Sequence, residues 1–119
     1  LARAVGGETI DRAALGKEKF DAIVNCTPVG MYPGSGSPLH AVELNARVVM
    51  DLIYRPLQTE LLKKAERRGI AVISGVEMFL AQGAAQQKIW TGRSAPVAAM
   101  RHAVMSALAA EEKKVVARR

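Results

Sequence analysis

Apolar residues along the chain fall in short blocks whose period changes from one to the next. Phe20–Cys26 (FDAIVNC) is a nearly continuous apolar run, the pattern of a strand buried on both faces. Arg47–Tyr54 (RVVMDLIY) is a second, β-branched run with Asp51 as its one internal charge, and Ile70–Ser74 is a third, after Gly69. Between the second and third runs, Thr59 is placed to cap a helix through Arg68, with Leu61, Leu62 and Ala65 on one face. Beyond the third run, Gly75–Trp90 reads as a helix with Met78, Ala81, Ala85 and Ile89 on one stripe, stopped by Thr91-Gly92. Ser94–Glu111 reads as another, capped by Ser94, with Val97, Met100, Val104 and Leu108 at spacings of three and four.

The remaining segments read as connections. Pro28, Gly30, Pro33, Gly34, Gly36 and Pro38 mark a loop, with GSGSP as its flexible tip. Asp11–Lys17 is a short helix candidate capped by Asp11, and the opening LARAVGG has the form of a last helical turn stopped by glycine. The order strand, strand, helix, strand, helix, helix predicts parallel strands joined by crossovers, hence an α/β layer fold.

Composition narrows the classes. With 119 residues, half of them apolar, the chain suits one compact domain and is too hydrophobic for extended disorder. No apolar run approaches the ~20 residues of a membrane helix. A single cysteine can neither staple a fold nor build a thiolate metal site, which favours a reducing, cytoplasmic setting. The first residue is Leu1 rather than Met and no signal peptide follows, the form expected of a piece of something longer. The net charge of +6 lies wholly in the second half, chiefly at Lys63, Lys64, Arg67, Arg68, Lys113, Lys114, Arg118 and Arg119. A nucleic-acid footprint is one reading of those cations. Solvated cations complementing helix C-termini are the better one, and with 4% aromatic residues there is little to stack on bases.

Candidate chemistry is sparse. The chain carries no GxGxxG, P-loop, HExxH, CxxC or GxSxG pattern. His40 and His102 lack a third ligand nearby, so a metal site is not expected, and Cys26 reads as a small buried hydrophobe rather than a nucleophile. Position is more informative than motif, because ligands of α/β sheets collect beyond the carboxyl ends of the strands. Those ends are Asn25-Cys26-Thr27-Pro28, Asp51-Leu52-Ile53-Tyr54 and Ser74-Gly75, with Gln82 two turns into the following helix. Spacing alone leaves two readings equally open. These residues line a site, or Asn25 and Thr27 merely satisfy turn backbone while Gln82 bonds within the fold.

At these residues the chain resembles a known family. NCTPVGM (25–31) is similar to the N-A-T-x-x-G-M loop of shikimate dehydrogenases. DLIYRPLQTELLKKAERRG (51–69) resembles that family's D-x-x-Y-x-P-x-x-T-x-L-L-x-x-A-x-x-x-G stretch, and SGVEMFLAQGAAQQKIWTG (74–92) its G-x-x-M-x-x-x-Q-x-x-x-Q-x-x-x-W-x-G segment. The wording GVEMF, with Glu77 where many members have glycine, looks closest to bifunctional dehydroquinase–shikimate dehydrogenases and some bacterial relatives.

The resemblance implies an NADP-dependent enzyme of aromatic amino acid biosynthesis that interconverts 3-dehydroshikimate and shikimate. It implies that residues 1–92 form the second half of a Rossmann-like cofactor domain. Residues 93–119 would be a C-terminal helix and basic tail packing toward a substrate domain. The family's catalytic Lys and Asp, its glycine-rich phosphate loop and its 2′-phosphate-reading motif have no counterpart here, so the isolated chain is expected to be inactive and no catalytic residue is assigned. Carried over by position, Tyr54 and Gln82 match the substrate-contacting Tyr and Gln, while Leu52 and Gly75 match positions beside the nicotinamide, with Thr27 bordering its ribose. In the family's strand order 3-2-1-4-5-6, residues 21–26 would be the fourth strand, and its open edge predicts self-association of the chain alone. From composition alone, the competing class is a basic, non-catalytic α/β interaction or nucleic-acid-binding module.

Overall fold

The computed structural model describes residues 2–116; Leu1, and Arg118 and Arg119 of the basic tail, lie outside the described residues. Three strands, β1 (Phe20–Asn25), β2 (Ala46–Asp51) and β3 (Ala71–Ile73), form a parallel sheet in the order β1-β2-β3. The register sets Ala22 beside Val48, Asn25 beside Asp51 and Val49 beside Val72. Consequently the polar ends of β1 and β2 come level at one rim.

Helix α1 (Glu60–Arg67) makes the second crossover, while the first uses the Pro/Gly loop and a 3-10 turn at Ala41–Glu43. The Thr59 hydroxyl accepts the Leu62 N–H at 3.3 Å, the cap that the sequence predicts. Gly69 turns the chain off the helix at φ +71°, a conformation that strains any residue with a Cβ. Leu61, Leu62 and Ala65 bury their shared face against Leu44 and Val49. Each leucine contributes roughly 1.5–3 kcal/mol of burial, which makes this helix–sheet layer the core of the fold. Two of the four cations at this end of α1 bond to the chain itself: Lys64 Nζ donates to the Leu39 carbonyl at 3.2 Å and an Arg68 Nη to the Ala41 carbonyl at 2.6 Å.

Strand β1 departs from expectation. Ala22 and Val24 are exposed, and only Asn25 is buried. The apolar run does form a strand, but among the described residues no strand pairs with its outer edge and its second face is uncovered.

Helix α2 (Gly75–Thr91) ends at Gly92, in the left-handed region at φ +68°. Its packed side is Val76 and Leu80, which meet Leu108, with Leu57, Met100 and Val104 around them. Of the predicted stripe, Met78 is half-buried while Ala81, Ala85 and Ile89 are instead turned outward. Ala81 and Ala85 are exposed, Ile89 is 79% exposed, and Trp90 beside it is 77% exposed. The seating of Gly75 explains the rotation. Its backbone lies against the Leu52 and Ile53 carbonyls, which directs positions 76 and 80 inward.

Helix α3 (Val97–Val116) begins three residues later than Ser94. Pro96 disfavours helical geometry at Ala95, and the Pro96 carbonyl accepts the first helical bond, from the Met100 N–H at 3.0 Å. Ser94 therefore lies outside the capping position. Met100, Val104 and Leu108 face the core as their spacing predicts, while Val97 at the end is 43% exposed. Arg101 donates to both oxygens of Glu77 at 2.6 and 2.7 Å and clamps α3 to α2. That hydrogen bond holds the Glu77 carboxyl below its ordinary range. The predicted helix at Asp11–Lys17 contracts to a 3-10 turn at Arg12–Ala14, with Asp11 Oδ1 accepting the Ala13 N–H at 2.9 Å. The opening segment forms a 3-10 turn at Ala2–Val5 that ends at Gly6.

Candidate functional site

A buried polar network organises the carboxyl rim of the sheet. Asp51 at the end of β2 is fully buried, and three donors reach its carboxylate. Asn25 Nδ2 donates to Oδ1 at 3.0 Å, the Ile53 N–H to the same oxygen at 3.1 Å, and Thr59 Oγ1 to Oδ2 at 2.6 Å. Charge on a buried carboxylate is tolerated when such donors converge on it. Asn25 carries the network onward, because its Oδ1 accepts from both the Thr27 N–H at 3.0 Å and Thr27 Oγ1 at 2.7 Å. One connected set of side chains thus fixes the loop after β1, the loop after β2 and the start of α1.

Glycine completes this scaffold. A Cβ at Gly75 would stand 2.5 Å from the Leu52 and Ile53 carbonyl oxygens, closer than real atoms approach. The chain's own backbone thus occupies the space that a side chain at Gly75 would need. Gly30 is held at φ +104°, and a Cβ there would stand 3.2 Å from the Gly36 carbonyl oxygen.

Above the rim lies a cleft of about 930 Å³ between the two strand-end loops and α3. Thr27, Leu52 and Tyr54, three of the five predicted site residues, line it together. Its other walls are mostly apolar, including Met31, Ile53, Phe79 and Val104. The Tyr54 and Phe79 rings lie 4.9 Å apart at 35°, a contact that holds the phenol against α2. Gly75 is buried behind the cleft. Gln82 is exposed and does not line it; it follows Phe79 by three residues and so occupies the same flank of α2 one turn on. The turn-satisfying role allowed for Asn25 is what the geometry gives it, while Thr27 combines that role with a place on the cleft wall.

Cys26 also differs from its reading: it is exposed and lines the cleft, because the strand ends at Asn25. Among the described residues, no cluster of His, Cys, Asp and Glu suits a metal ion, and no helix is long and apolar enough to cross a membrane. The sequence reading missed the Asp51 hub and the partnership of Phe79 with Tyr54. A lone carboxylate inside an apolar strand was the available signal for the hub, since such a group requires partners. No signal existed for Phe79, whose contact depends on how α2 is rotated.

Comparison with known proteins agrees with this geometry. A family model described as the shikimate 5′-dehydrogenase C-terminal domain matches residues 75–105. A protein named shikimate dehydrogenase (NADP(+)) from Methanopyrus kandleri is 41% identical over 112 residues, which is 90% of this chain and 38% of that protein. The crystal structure of shikimate 5-dehydrogenase from Thermus thermophilus, in complex with NADP(H) and shikimate, superposes with a TM-score of 0.81 at 32% identity, covering 90% of this chain and 41% of that one. A quinate dehydrogenase from Corynebacterium glutamicum in complex with NAD also superposes, with a TM-score of 0.67 at 33% identity over 72% of this chain and 31% of that one. The chain thus spans well under half the length of these relatives. The Rossmann-like α/β sheet, the three motifs and these matches agree, and the chain belongs to the shikimate dehydrogenase family, as its C-terminal portion.

Proposed function

We propose that this chain is the part of an NADP-dependent shikimate dehydrogenase that closes over the nicotinamide and holds one edge of the substrate ring. The observation that carries the reading is the convergence of Thr27, Leu52 and Tyr54 on one cleft at the carboxyl ends of parallel strands. Residues 1–92 are the second half of the cofactor domain, and 93–119 a helix and tail directed toward a substrate domain. The setting is the reducing cytoplasm.

The lining fits the nicotinamide end of the cofactor. A flat ring finds the apolar Leu52 and Ile53 at the floor, with Thr27 supplying a hydroxyl at the margin. Gly75 contributes indirectly, by letting α2 approach the 52–53 backbone that forms that floor. When bound, the cofactor supplies the acceptor for the hydride that leaves the alcohol carbon of shikimate. Residues of this chain bind and orient rather than transfer a proton. The Tyr54 phenol and the Gln82 amide give fixed donors and acceptors along the α2 flank for a polyhydroxylated ring. Nucleic acid has no part in this reading; of the basic residues in the second half, Lys64 and Arg68 bond to backbone carbonyls of the chain itself.

The test is steady-state kinetics of the full-length protein with shikimate and NADP, set against quinate and NAD. Tyr54→Phe and Gln82→Ala should each lower kcat/KM for shikimate by about 5- to 150-fold, the range for one lost hydrogen bond to a substrate hydroxyl, with KM for NADP little changed. Wild-type kinetics in both variants would show that the two residues are structural.

A partner reading follows for the 119-residue chain taken alone. The outer edge of β1 pairs with no described strand, Val24 is 47% exposed, and Ile89 and Trp90 are exposed more fully still. An unpaired apolar edge is a template for another strand, so this chain self-associates. Light scattering at micromolar concentration should report a dimer or larger species, and a stable monomer with rapidly exchanging β1 amides would contradict it.

A further inference from the structure

We propose that Arg55 is a positioning residue, locking the loop that carries Tyr54 onto α3 and onto the loop after β1. The inference rests on the reading of Tyr54 as a substrate contact. Three contacts from two elements, the loop after β1 and α3, meet at Arg55. Its guanidinium lies 5.1 Å from the centre of the Tyr32 ring, stacked as a cation on an aromatic face. Its Nε stands 3.2 Å from a carboxylate oxygen of Glu111 on α3. Its backbone carbonyl accepts the Tyr32 N–H at 3.1 Å.

The position of this lock gives it a consequence for the site. A second cavity, of about 470 Å³, lies beside the main cleft, and Tyr32, Arg55, Leu108 and Glu111 line both. These four residues are therefore the partition between the two spaces. Leu108 is the apolar foot of the partition, packed against Val76 and Leu80. The polar upper part is the Tyr32–Arg55–Glu111 set, half-exposed and held by side-chain contacts alone apart from the one backbone bond. Residue 55 adjoins Tyr54 in the chain, so loosening the partition lets the phenol drift toward the smaller cavity. The buried Asp51 network anchors the same loop from below through the Ile53 N–H, but it ends two residues short of Arg55. Orientation of the phenol thus depends on the upper contacts as well as on the network.

The experiment uses the full-length protein carrying Arg55→Ala, Glu111→Ala, Arg55→Glu, or the exchanged pair Arg55→Glu with Glu111→Arg. An exposed ion pair and an exposed cation–π contact together correspond to about a fivefold effect. KM for shikimate should rise about fivefold in Arg55→Ala, less in Glu111→Ala, with kcat and KM for NADP unchanged. The exchanged pair should recover part of the loss relative to Arg55→Glu alone. Hydrogen exchange without ligand supplies a readout independent of the substrate: the Tyr32 amide should exchange about fivefold faster in Arg55→Ala. Unchanged Tyr32 protection overturns the lock whatever the kinetics show. If protection falls while Tyr54→Phe leaves shikimate kinetics intact, the lock stands as a structural device, its positioning role is overturned, and the reading of Tyr54 fails with it. If Tyr54→Phe raises KM and Arg55→Ala does not, the positioning role alone fails.

Discussion

Replacing Asp51 with alanine should destabilise the fold by on the order of 4 kcal/mol, because the change leaves Asn25 Nδ2, Thr59 Oγ1 and the Ile53 N–H without their buried acceptor. Each orphaned donor loses a charge-assisted bond without regaining water, and the vacated volume adds a cavity. Asp51→Asn should cost about half as much, since its amide oxygen still accepts two of the three bonds while its NH2 faces the third donor. Scanning calorimetry should show a fall of about 15 °C in the transition that includes this domain for the alanine variant. A drop within a few degrees of wild type would mean that water reaches the carboxylate and that the network is not the anchor of the rim.

The second large effect is at Gly75. An alanine methyl there would overlap the Leu52 and Ile53 carbonyl oxygens at 2.5 Å, and all of its close neighbours are backbone. No rotamer change relieves that contact, so either α2 withdraws or the 52–53 loop shifts. A cost of about 3 kcal/mol follows, toward the upper end for overpacked cores. The displacement also carries Phe79 away from Tyr54, so KM for shikimate in the full-length protein should rise together with the loss of stability. An alanine variant with wild-type melting and kinetics would show that the helix seats elsewhere than at this contact.

These two residues illustrate what the sequence made legible. The α/β class followed from three apolar runs separated by crossovers, and the capping of α1 by Thr59 followed from residue type and spacing, both of which depend on local chemistry. The rotation of α2 did not follow. A stripe of Met78, Ala81, Ala85 and Ile89 is as regular as the packed face that includes Val76 and Leu80, and only the contact of Gly75 with a distant loop selects between them. The start of α3 was open to correction from sequence, because Pro96 restricts Ala95 and thereby removes Ser94 from the capping position. For β1, burial on both faces was read from the nearly continuous apolar run, but such a run reports what a strand prefers to meet and not whether its neighbours lie within the described residues.

The candidate site divides in the same way. That Thr27, Leu52 and Tyr54 share one rim was legible because strand ends in a parallel sheet meet there, while the choice of these three among their neighbours came from the family resemblance. Gly75 was singled out by the family resemblance alone, while its packing against the Leu52 and Ile53 carbonyls depends on a contact between distant segments. Phe79, Arg55, Tyr32 and Glu111 were not legible, since each acts through a partner on another element that no spacing rule connects.

The central claim is that Tyr54 and Gln82 grip the substrate ring while Thr27 and Leu52 border the nicotinamide. A crystal structure of the full-length protein with shikimate and NADP tests it most directly. The account predicts the Tyr54 hydroxyl and the Gln82 amide within about 2.7–3.2 Å of ring hydroxyl or carboxylate oxygens, with the nicotinamide against Leu52 in the cleft. A ring bound elsewhere, with Tyr54 still stacked on Phe79 and both polar groups facing water, would contradict it.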